Sequence, residues 1–589
     1  MNPACAIDVP TSLQPRQVDP DNHPRLPATG AQPAGTSGEA PEVCFEGFDE
    51  LRLAVTGIMA RVRQVTTGGS TLADLEEAVR QDLLTIGAAA VQDGLNTLSA
   101  AEVRRHDVTG PEGAPRPWAD PSRTRTLRTL FGDVTFTRFA YRGSRVADVF
   151  PADEALDLPA GPSFSRALEA RVAYLEALLP HRQVHDLLKW ETGVSIHTRQ
   201  LRQIVARAAA DTATFPQTRA VPETIDAPGP GEVDRMGVAP GPAGVPGIAE
   251  VDGVEGSAMG SSGGLAAGRV LVATFDGKGV VMRRESLRSG ERPDPGTVGL
   301  GAGLPGHEQQ GYRRGRKRLA ELSCVYDVAV QPRTVEEVIQ ALAGRSADPE
   351  AGSGEPPADA RTPRARARAR WLQASLTATI DQVVADGFAQ ADRRDPAHRW
   401  AWLVLIDGNK SQLDAADAQA TARGIHVPIL IDLLHVLGYL GDAANGTFNP
   451  GAPAARTWFL AQARAVLEGH ADQVAAEIRG RADRFRCTGT QRKKVLAAAT
   501  YLENHLDQLD YPTALARGWP IATGVIEGAC KNLVCDRMDV SGARWGLDGA
   551  GHVLDLRALV ITDSFDEYQV HHLARQHARQ YPKYTPAAA

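Results

Sequence analysis

Cysteine is scarce and scattered in this chain, with six in 589 residues (Cys5, Cys44, Cys324, Cys487, Cys530 and Cys535). None forms a C-x-x-C pair or joins a histidine at zinc-binding spacing. A disulfide framework and a zinc module are therefore not expected, and the thiols read as reduced. Long apolar runs are lacking too. PILIDLLHVLGYL is interrupted by Asp432 and His435, well short of the roughly 18 apolar residues of a membrane span. The segment MNPACAIDVPTSLQPRQVDP has no basic stretch leading into an apolar one, so the expectation is a cytoplasmic protein with no membrane partner. An excess of positive charge is missing as well: the formal net charge is −7, which argues against bulk coating of nucleic acid. Affinity for phosphates depends on local cations, however, and basic clusters stand at YRRGRKR (312–318), RTPRARARAR (361–370) and QRKK (491–494). Each of them also reads as a solvated loop.

What is present suits a multidomain globular chain. The apolar fraction of 43% is enough for packed cores, and the length implies about two to four of them. Residues 1–44 are rich in Pro, Gly, Thr and Ser and read as a disordered tail. From 45 to 214 the pattern predicts amphipathic helices, then a β-hairpin in TRTLRTLFGDVTFTRFAYRG. The hairpin centres on Gly132-Asp133, with Leu130, Phe131, Val134, Phe136 and Phe139 as packing residues. The stretch HRQVHDLLKWETGVSIHTRQLRQIVARAA then resembles a helix-turn-helix. Val184, Leu187 and Leu188 would face inward from its first helix, Gly193 marks the turn, and Ser195 or Thr198 would cap the second helix. With Leu201, Ile204, Val205 and Ala208 inward, Arg199, Gln200, Arg202 and Gln203 face outward as donors suited to DNA grooves. Simple helical packing accounts for the same pattern.

Residues 215–268 are Pro/Gly-rich and read as a linker, and 344–370 read as a biased insertion. Between and beyond them an α/β order runs over 269–451. RVLVATFDGKG reads as a strand ending at Asp276 with GVVMRRESL as its hairpin partner, and LSCVYDVAV is a third strand. Helices follow at VEEVIQALAG and LQASLTATIDQVVADGFAQA, then the strand WAWLVLID ending at Asp407, a helix over 411–423, the strand VPILID, and a helix starting at LLHVLGYLGDAA. Residues 452–517 read as a helical insertion and 518–589 as closing helices that carry Glu527. The overall expectation is an α+β multidomain protein with an RNase H-like α/β catalytic core.

Asp276, Asp407 and Glu527 are the carboxylates that this order singles out. Two-metal phosphodiester chemistry needs oxygen ligands from neighbouring elements, and magnesium, which takes one or two carboxylates per ion, suits them. Each aspartate precedes a glycine, Gly277 or Gly408, that lets backbone and substrate approach closely. Singly, each residue has an ordinary reading: a strand-terminal Asp-Gly is usually a turn, and Glu527 suits the first turn of a helix. Two other chemistries fit less well. An aspartyl-phosphate hydrolase would place a second Asp where Lys278 stands, and a glycosidase pair leaves the Arg-rich helix unexplained. In the Glu527 helix, Ile526, Ala529, Cys530 and Leu533 form the apolar stripe, with Glu527 and Lys531 on the adjoining face.

At VYDVAVQPRTVEEVI, LVLIDGNKSQL, VPILIDLLHVLGYLGDAA, YPTALARGWPIATGVIEGACKNLVCDRMDVSGARWGLDGA and DSFDEYQVHHLA the chain resembles bacterial insertion-sequence transposases of the DDE class, most closely the ISKra-type family. The resemblance implies Asp276, Asp407 and Glu527 as a catalytic, metal-binding triad. It further implies Mg²⁺ (Mn²⁺ as a substitute), cleavage at transposon ends, and strand transfer into target DNA. Partners would be the terminal inverted repeats, target DNA and further copies of the chain in a homo-oligomer, nucleoid-associated in the cytoplasm. The alternative is a DNA-binding, repressor-like remnant without catalytic activity. Asp432 and His435 resemble the C/D-x-x-H signature of Mutator-like relatives, which implies a contact of His435 with the scissile region or an acidic ligand; a packed core histidine fits equally well. Lys531, Arg537 and Arg544 would contact the DNA backbone, and Trp545 reads more readily as a core residue than as a base-stacking one. Gly441 stands where the family usually carries an aromatic residue, and the 290–311 stretch is longer and richer in Gly and Pro than the family pattern.

Overall fold

The computed structural model describes residues 47–581 apart from 70, 160, 162, 216–267, 288–316, 345–366, 450, 486, 523 and 541. The expected tail, nearly all of the linker, the 290–311 stretch and most of the biased insertion lie outside the described residues, as does most of YRRGRKR.

The described residues form an α+β protein with two sheets. The first is a three-stranded antiparallel sheet of β1 (Trp118–Thr129), β2 (Gly132–Gly143) and β3 (Val146–Val149). The hairpin is present, but its loop is Leu130-Phe131 rather than Gly132-Asp133, since Thr129 pairs with Gly132 and Arg128 with Asp133. Val134 and Phe136 are buried as expected, whereas Phe131, at the tip, is exposed. Its ring lies over Gly87 in the helix Leu72–Ala101, where any Cβ would collide with it.

Helices Arg166–Leu178, His181–Thr192 and Thr198–Ala208 follow. Val184, Leu188, Leu201 and Ile204 pack with Phe164, Leu168, Val172 and Leu175 in one apolar cluster, and Val205 and Ala208 are buried as well. Gly193 ends the second of these helices in the left-handed region at φ 71°. The third is capped by neither Ser195 nor Thr198. His197 is its N-cap, and its backbone N–H donates to Gln200 Oε1 at 3.2 Å. A cap is set by which residue leaves the helical φ/ψ, and here that is the residue before Thr198.

The second sheet has five strands: β4 (Arg269–Val281), β5 (Lys317–Ala329), β6 (Arg368–Ser375), β7 (Ala401–Ile406) and β8 (Ile429–Ile431), in the spatial order β6-β5-β4-β7-β8. β5 is antiparallel to both β4 and β6; β7 is parallel to β4, and β8 to β7. Two expectations need correction. GVVMRRESL is not a hairpin partner: β4 runs straight through Asp276 to Val281 and pairs along its whole length with β5. The third strand is instead β6, which begins inside the arginine-rich stretch. Its Arg-Ala alternation is a period-2 pattern that continues into Leu372 and Ala374, buried on one face, while Trp371 is buried on the other.

Helix Ile380–Arg394 packs on β4 and β5 through Gly387, where a Cβ would lie 2.7 Å from Ser323 Oγ and 2.8 Å from the Phe275 ring. Because side chains alternate along a strand, Asp276 points to the opposite face from Phe275. On that face lies the segment that carries Glu527. The helices Pro453–Leu467, Ala471–Arg484 and Gly489–Asn504 share the apolar core of the sheet, so the region read as an insertion is continuous with the core. Among the described residues, no helix is long and apolar enough to cross a membrane.

Candidate functional site

The register of β4 and β7 brings the two aspartates level. Thr274 pairs with Leu405 in the parallel ladder, and Asp276 and Asp407 each lie two residues further on. Adjacent strands are about 4.8 Å apart, so the two residues come level where the β4–β7 ladder ends. β7 ends at Ile406, and the chain turns away at Asp407 while β4 continues. Beyond Thr274, the edge of β4 is therefore no longer covered by β7.

Asp276 is half-buried. Its Oδ1 accepts from the Gly277 N–H at 2.6 Å and its Oδ2 from the Cys530 thiol at 2.9 Å. Burial, reinforced by the Asp276 carboxylate, pushes the Cys530 thiol well above the ordinary thiol range, so it stays a donor. Asp407 Oδ1 accepts from the Asn409 N–H at 2.9 Å, and Asn409 in turn caps the helix Lys410–Arg423. Past β8, Asp432 is fully buried and caps the helix Leu433–Thr447, with Oδ1 accepting from the Leu434 N–H at 2.7 Å. His435 lies one turn on, its Nδ1 3.7 Å from Asp432 Oδ2. That separation is an ion-pair distance, too long for a hydrogen bond. The Asp432 carboxylate raises the His435 pKa, burial opposes this, and the charges of Asp407 and Asp276 add to the rise. His435 thus faces both strand aspartates.

Glu527 belongs to the short helix Gly524–Ala529, which continues as a π-helical turn over Cys530–Cys535. The expected stripe holds: Ile526, Ala529, Cys530 and Leu533 are buried, while Glu527 and Lys531 are exposed. Cys530, one turn beyond Glu527, ties the segment to Asp276. A cavity of about 300 Å³ opens beside this helix, lined in part by Arg370, Gly524, Gly528 and Asn532.

As oxygen ligands on adjacent strands, Asp276 and Asp407 suit a hard divalent cation. Among the described residues, however, no group of three or more His, Cys, Asp or Glu side chains comes together to hold a metal, so Glu527 does not join the pair in this conformation.

The expected DNA contacts divide. Arg199, Arg202, Gln203, Lys531 and Arg544 are exposed. Gln200 is half-buried and engaged at the helix cap. Arg537 is buried and is not a surface contact. Its Nε donates to the Glu176 carbonyl at 3.1 Å, its Nη2 lies 3.6 Å from Glu176 Oε2, and it stacks over Trp545 with 4.8 Å to the ring centroid. Burial pushes its guanidinium down to about 10. The Arg537 environment arises because the π turn ends in the interior, against the helix Arg166–Leu178. Trp545 is likewise a core residue, buried with its indole N–H donating to the Met538 carbonyl at 3.1 Å.

Sequence reasoning missed three side chains at this site: Cys530 as the partner of Asp276, and Tyr501 and His505 around Asp407 and Gly408. Tyr501 Oη donates to the Asp407 carbonyl at 2.6 Å, and His505 Nε2 lies 3.0 Å from the Gly408 carbonyl. In comparisons with known proteins, no family model and no curated protein matches the chain.

Proposed function

We propose that the chain is a DDE-class DNA transposase of an insertion sequence, with an RNase H-like catalytic core and a helix-turn-helix DNA-binding region. It cuts at the inverted-repeat ends and joins the freed 3′-hydroxyls to target DNA. The observation that supports this reading is the parallel register of β4 and β7, whose ladder ends two residues before Asp276 and Asp407. The strand order β6-β5-β4-β7-β8, with three antiparallel strands followed by two parallel ones, supports an RNase H-like core. The exposed Arg199, Arg202 and Gln203 on a short helix after a tight turn support DNA reading.

Asp276 and Asp407 would hold Mg²⁺, or Mn²⁺ in its place, and a bound ion would offset the charge that develops on the phosphate in flight. The remaining work falls to the chain. His435, its cationic form favoured by three carboxylates, draws a phosphate toward the aspartates. Lys531 and Arg544 bind backbone phosphates on the Glu527 side. Glu527 completes the triad when DNA orders its segment inward. Pairing two transposon ends calls for a homo-oligomer.

The test is strand cleavage of the DNA flanking the gene, which should carry inverted repeats. Metal-dependent nicking lost in Asp276→Asn supports the reading, and full nicking by that variant sinks it. One observation favours the alternative of a repressor-like remnant: both oxygens of Asp276 already accept hydrogen bonds. Tight repeat binding without nicking in Mg²⁺ or Mn²⁺ would select that alternative.

A further inference from the structure

The helix Gly489–Asn504 and the residue that ends it, His505, reach the candidate site from the region that reads as an insertion. Two consecutive carbonyls, those of Asp407 and Gly408, meet polar side chains from this one helix end. The Tyr501 hydroxyl donates to the first at 2.6 Å, and His505 Nε2 lies 3.0 Å from the second, to which it donates in the tautomer protonated at that nitrogen. Gly408 sits at φ 92°, a left-handed conformation that favours glycine. A Cβ there would lie 3.0 Å from His505 Nε2 and 3.1 Å from Tyr501 Oη, so the close approach of the helix end also depends on the missing side chain. The Tyr501 ring is clamped in turn. Tyr439, on the helix after β8, stacks on it with centroids 4.0 Å apart and an interplanar angle of 22°. His505 packs against the same ring at 4.6 Å and turns its Nδ1 to the Tyr501 carbonyl at 2.7 Å. Burial and the neighbouring Asp407 charge push the Tyr501 hydroxyl far above the ordinary phenol range, so it remains a donor.

We propose that Tyr501 and His505 are positioning residues for Asp407, holding the Asp407–Gly408 peptide so that the carboxylate stands level with Asp276 for a divalent cation. The inference rests on the reading of Asp276 and Asp407 as a metal-binding pair. With the carbonyls of two successive peptides held, the Asp407 and Gly408 ψ angles cannot change without breaking a contact. Held by the end of β7 on one side and at its carbonyl on the other, Asp407 is restrained in φ and ψ; φ sets the direction of its Cα–Cβ bond, and the Asn409 N–H fixes Oδ1 within that frame. The helical region thereby acts on the site through backbone geometry, with no side chain of its own among the ligands.

Mn²⁺ binding to the full chain, followed by electron paramagnetic resonance, tests this apart from catalysis. Tyr501→Phe keeps the stacked ring and removes one donor, and should weaken Mn²⁺ binding about fivefold to tenfold, the usual worth of one hydrogen bond. His505→Ala should weaken it similarly. His505→Gln, whose amide can still donate to the Gly408 carbonyl, should recover most of the loss, a rescue that a purely packing role would not produce. In cleavage assays the Tyr501→Phe defect should appear in kcat, with KM for DNA unchanged. Wild-type Mn²⁺ affinity in Tyr501→Phe, alongside lost binding in Asp407→Asn, overturns the proposal and leaves the transposase reading standing. The converse is equally distinct: Mn²⁺ binding that depends on Tyr501 and Asp407 in a chain that nicks no DNA supports the positioning role and overturns the transposase reading. Mn²⁺ affinity indifferent to Asp407→Asn overturns both.

Discussion

Asp407 and Glu527 have the same expected role in opposite surroundings. Asp407 follows a strand whose neighbours set its height, its backbone carbonyl is held by Tyr501, and its carboxylate takes the Asn409 N–H. Glu527 is exposed on a six-residue helix that runs into a π turn. A π turn carries an extra residue relative to α-helix, and such turns concentrate at functional sites. Here it lies between Glu527 and the buried Arg537 and follows the Cys530 anchor on Asp276. The strand-borne carboxylates are built into the sheet, whereas Glu527 is exposed on a segment whose other face, Ile526, Ala529, Cys530 and Leu533, is buried; under the proposed function, substrate would draw it to the pair.

The sharpest way to break this comparison is to neutralise each carboxylate in turn. Under the proposed function, Asp276→Asn, Asp407→Asn and Glu527→Gln should each cut strand cleavage about 1,000-fold, several kcal/mol of barrier. They should part company when Mn²⁺ binding is measured by titration calorimetry without DNA. Both aspartate variants should lose it, and Glu527→Gln should retain it within about twofold, since Glu527 is not gathered with the pair. Equal loss in all three variants would mean that Glu527 is already a ligand before DNA binds.

The second prediction concerns what anchors the Glu527 segment. Arg537→Ala removes the guanidinium 3.6 Å from Glu176 Oε2 and leaves Glu176 fully buried, with His181 Nδ1 2.6 Å away. Removing one member of a buried pair strands the other, so denaturant unfolding should show a loss of about 3 kcal/mol. A loss below about 1 kcal/mol would mean that the segment's seat on the helix Arg166–Leu178 is loose, which would blur the contrast with Asp407.

A smaller effect should come from Asp555, in the helix Leu547–Ile561 that follows the segment. Burial raises its carboxyl to about 7, against a lowering hydrogen bond from Thr212. A raised acid keeps its proton when folded and loses it when unfolded, so stability should fall as pH rises from about 4 to about 7, then level off. Asp555→Asn should remove that slope and raise stability at pH 8 by on the order of 2 kcal/mol, as read from thermal or denaturant midpoints across the pH range. An unchanged pH profile in the variant would place the ionised carboxylate in contact with water.

How far the sequence was legible follows from how local each signal is. The apolar stripes of Thr198–Ala208 and of the Glu527 helix lie within two turns of chain, and they emerged residue for residue. The strands before Asp276 and Asp407 were legible for the same reason, as short β-branched runs. Where β4 would end was not: Asp276-Gly277 carries a turn signal, and only pairing with β5, some 40 residues away, carries the strand on to Val281. β6 was hidden because alternating arginine and alanine looks like low complexity until Leu372 and Ala374 are buried on one face and Trp371 on the other. Tyr501 and His505 could not be found at all, since they meet Asp407 and Gly408 across 94 and 97 residues and only the folded helix brings them there. Arg537 misled because a basic helix reads as a surface, whereas its burial depends on a π turn that shifts which side chains face inward.

The finest distinction within the Glu527 segment is between its buried and exposed cations. Lys531 is one turn from Glu527 and exposed, so Lys531→Ala should change stability by no more than about 0.5 kcal/mol. Its effect should appear only on DNA. A lysine that neutralises one phosphate releases about one counterion, so the variant should bind terminal-repeat DNA more weakly regardless of sequence. The slope of log affinity against log salt should become shallower by about 0.9. Fluorescence anisotropy at several salt concentrations reads both quantities. An unchanged slope would remove Lys531 from the DNA path and would mean that substrate does not pass along the exposed face of the Glu527 helix. The ordering of Glu527 by DNA would then have no contact to drive it.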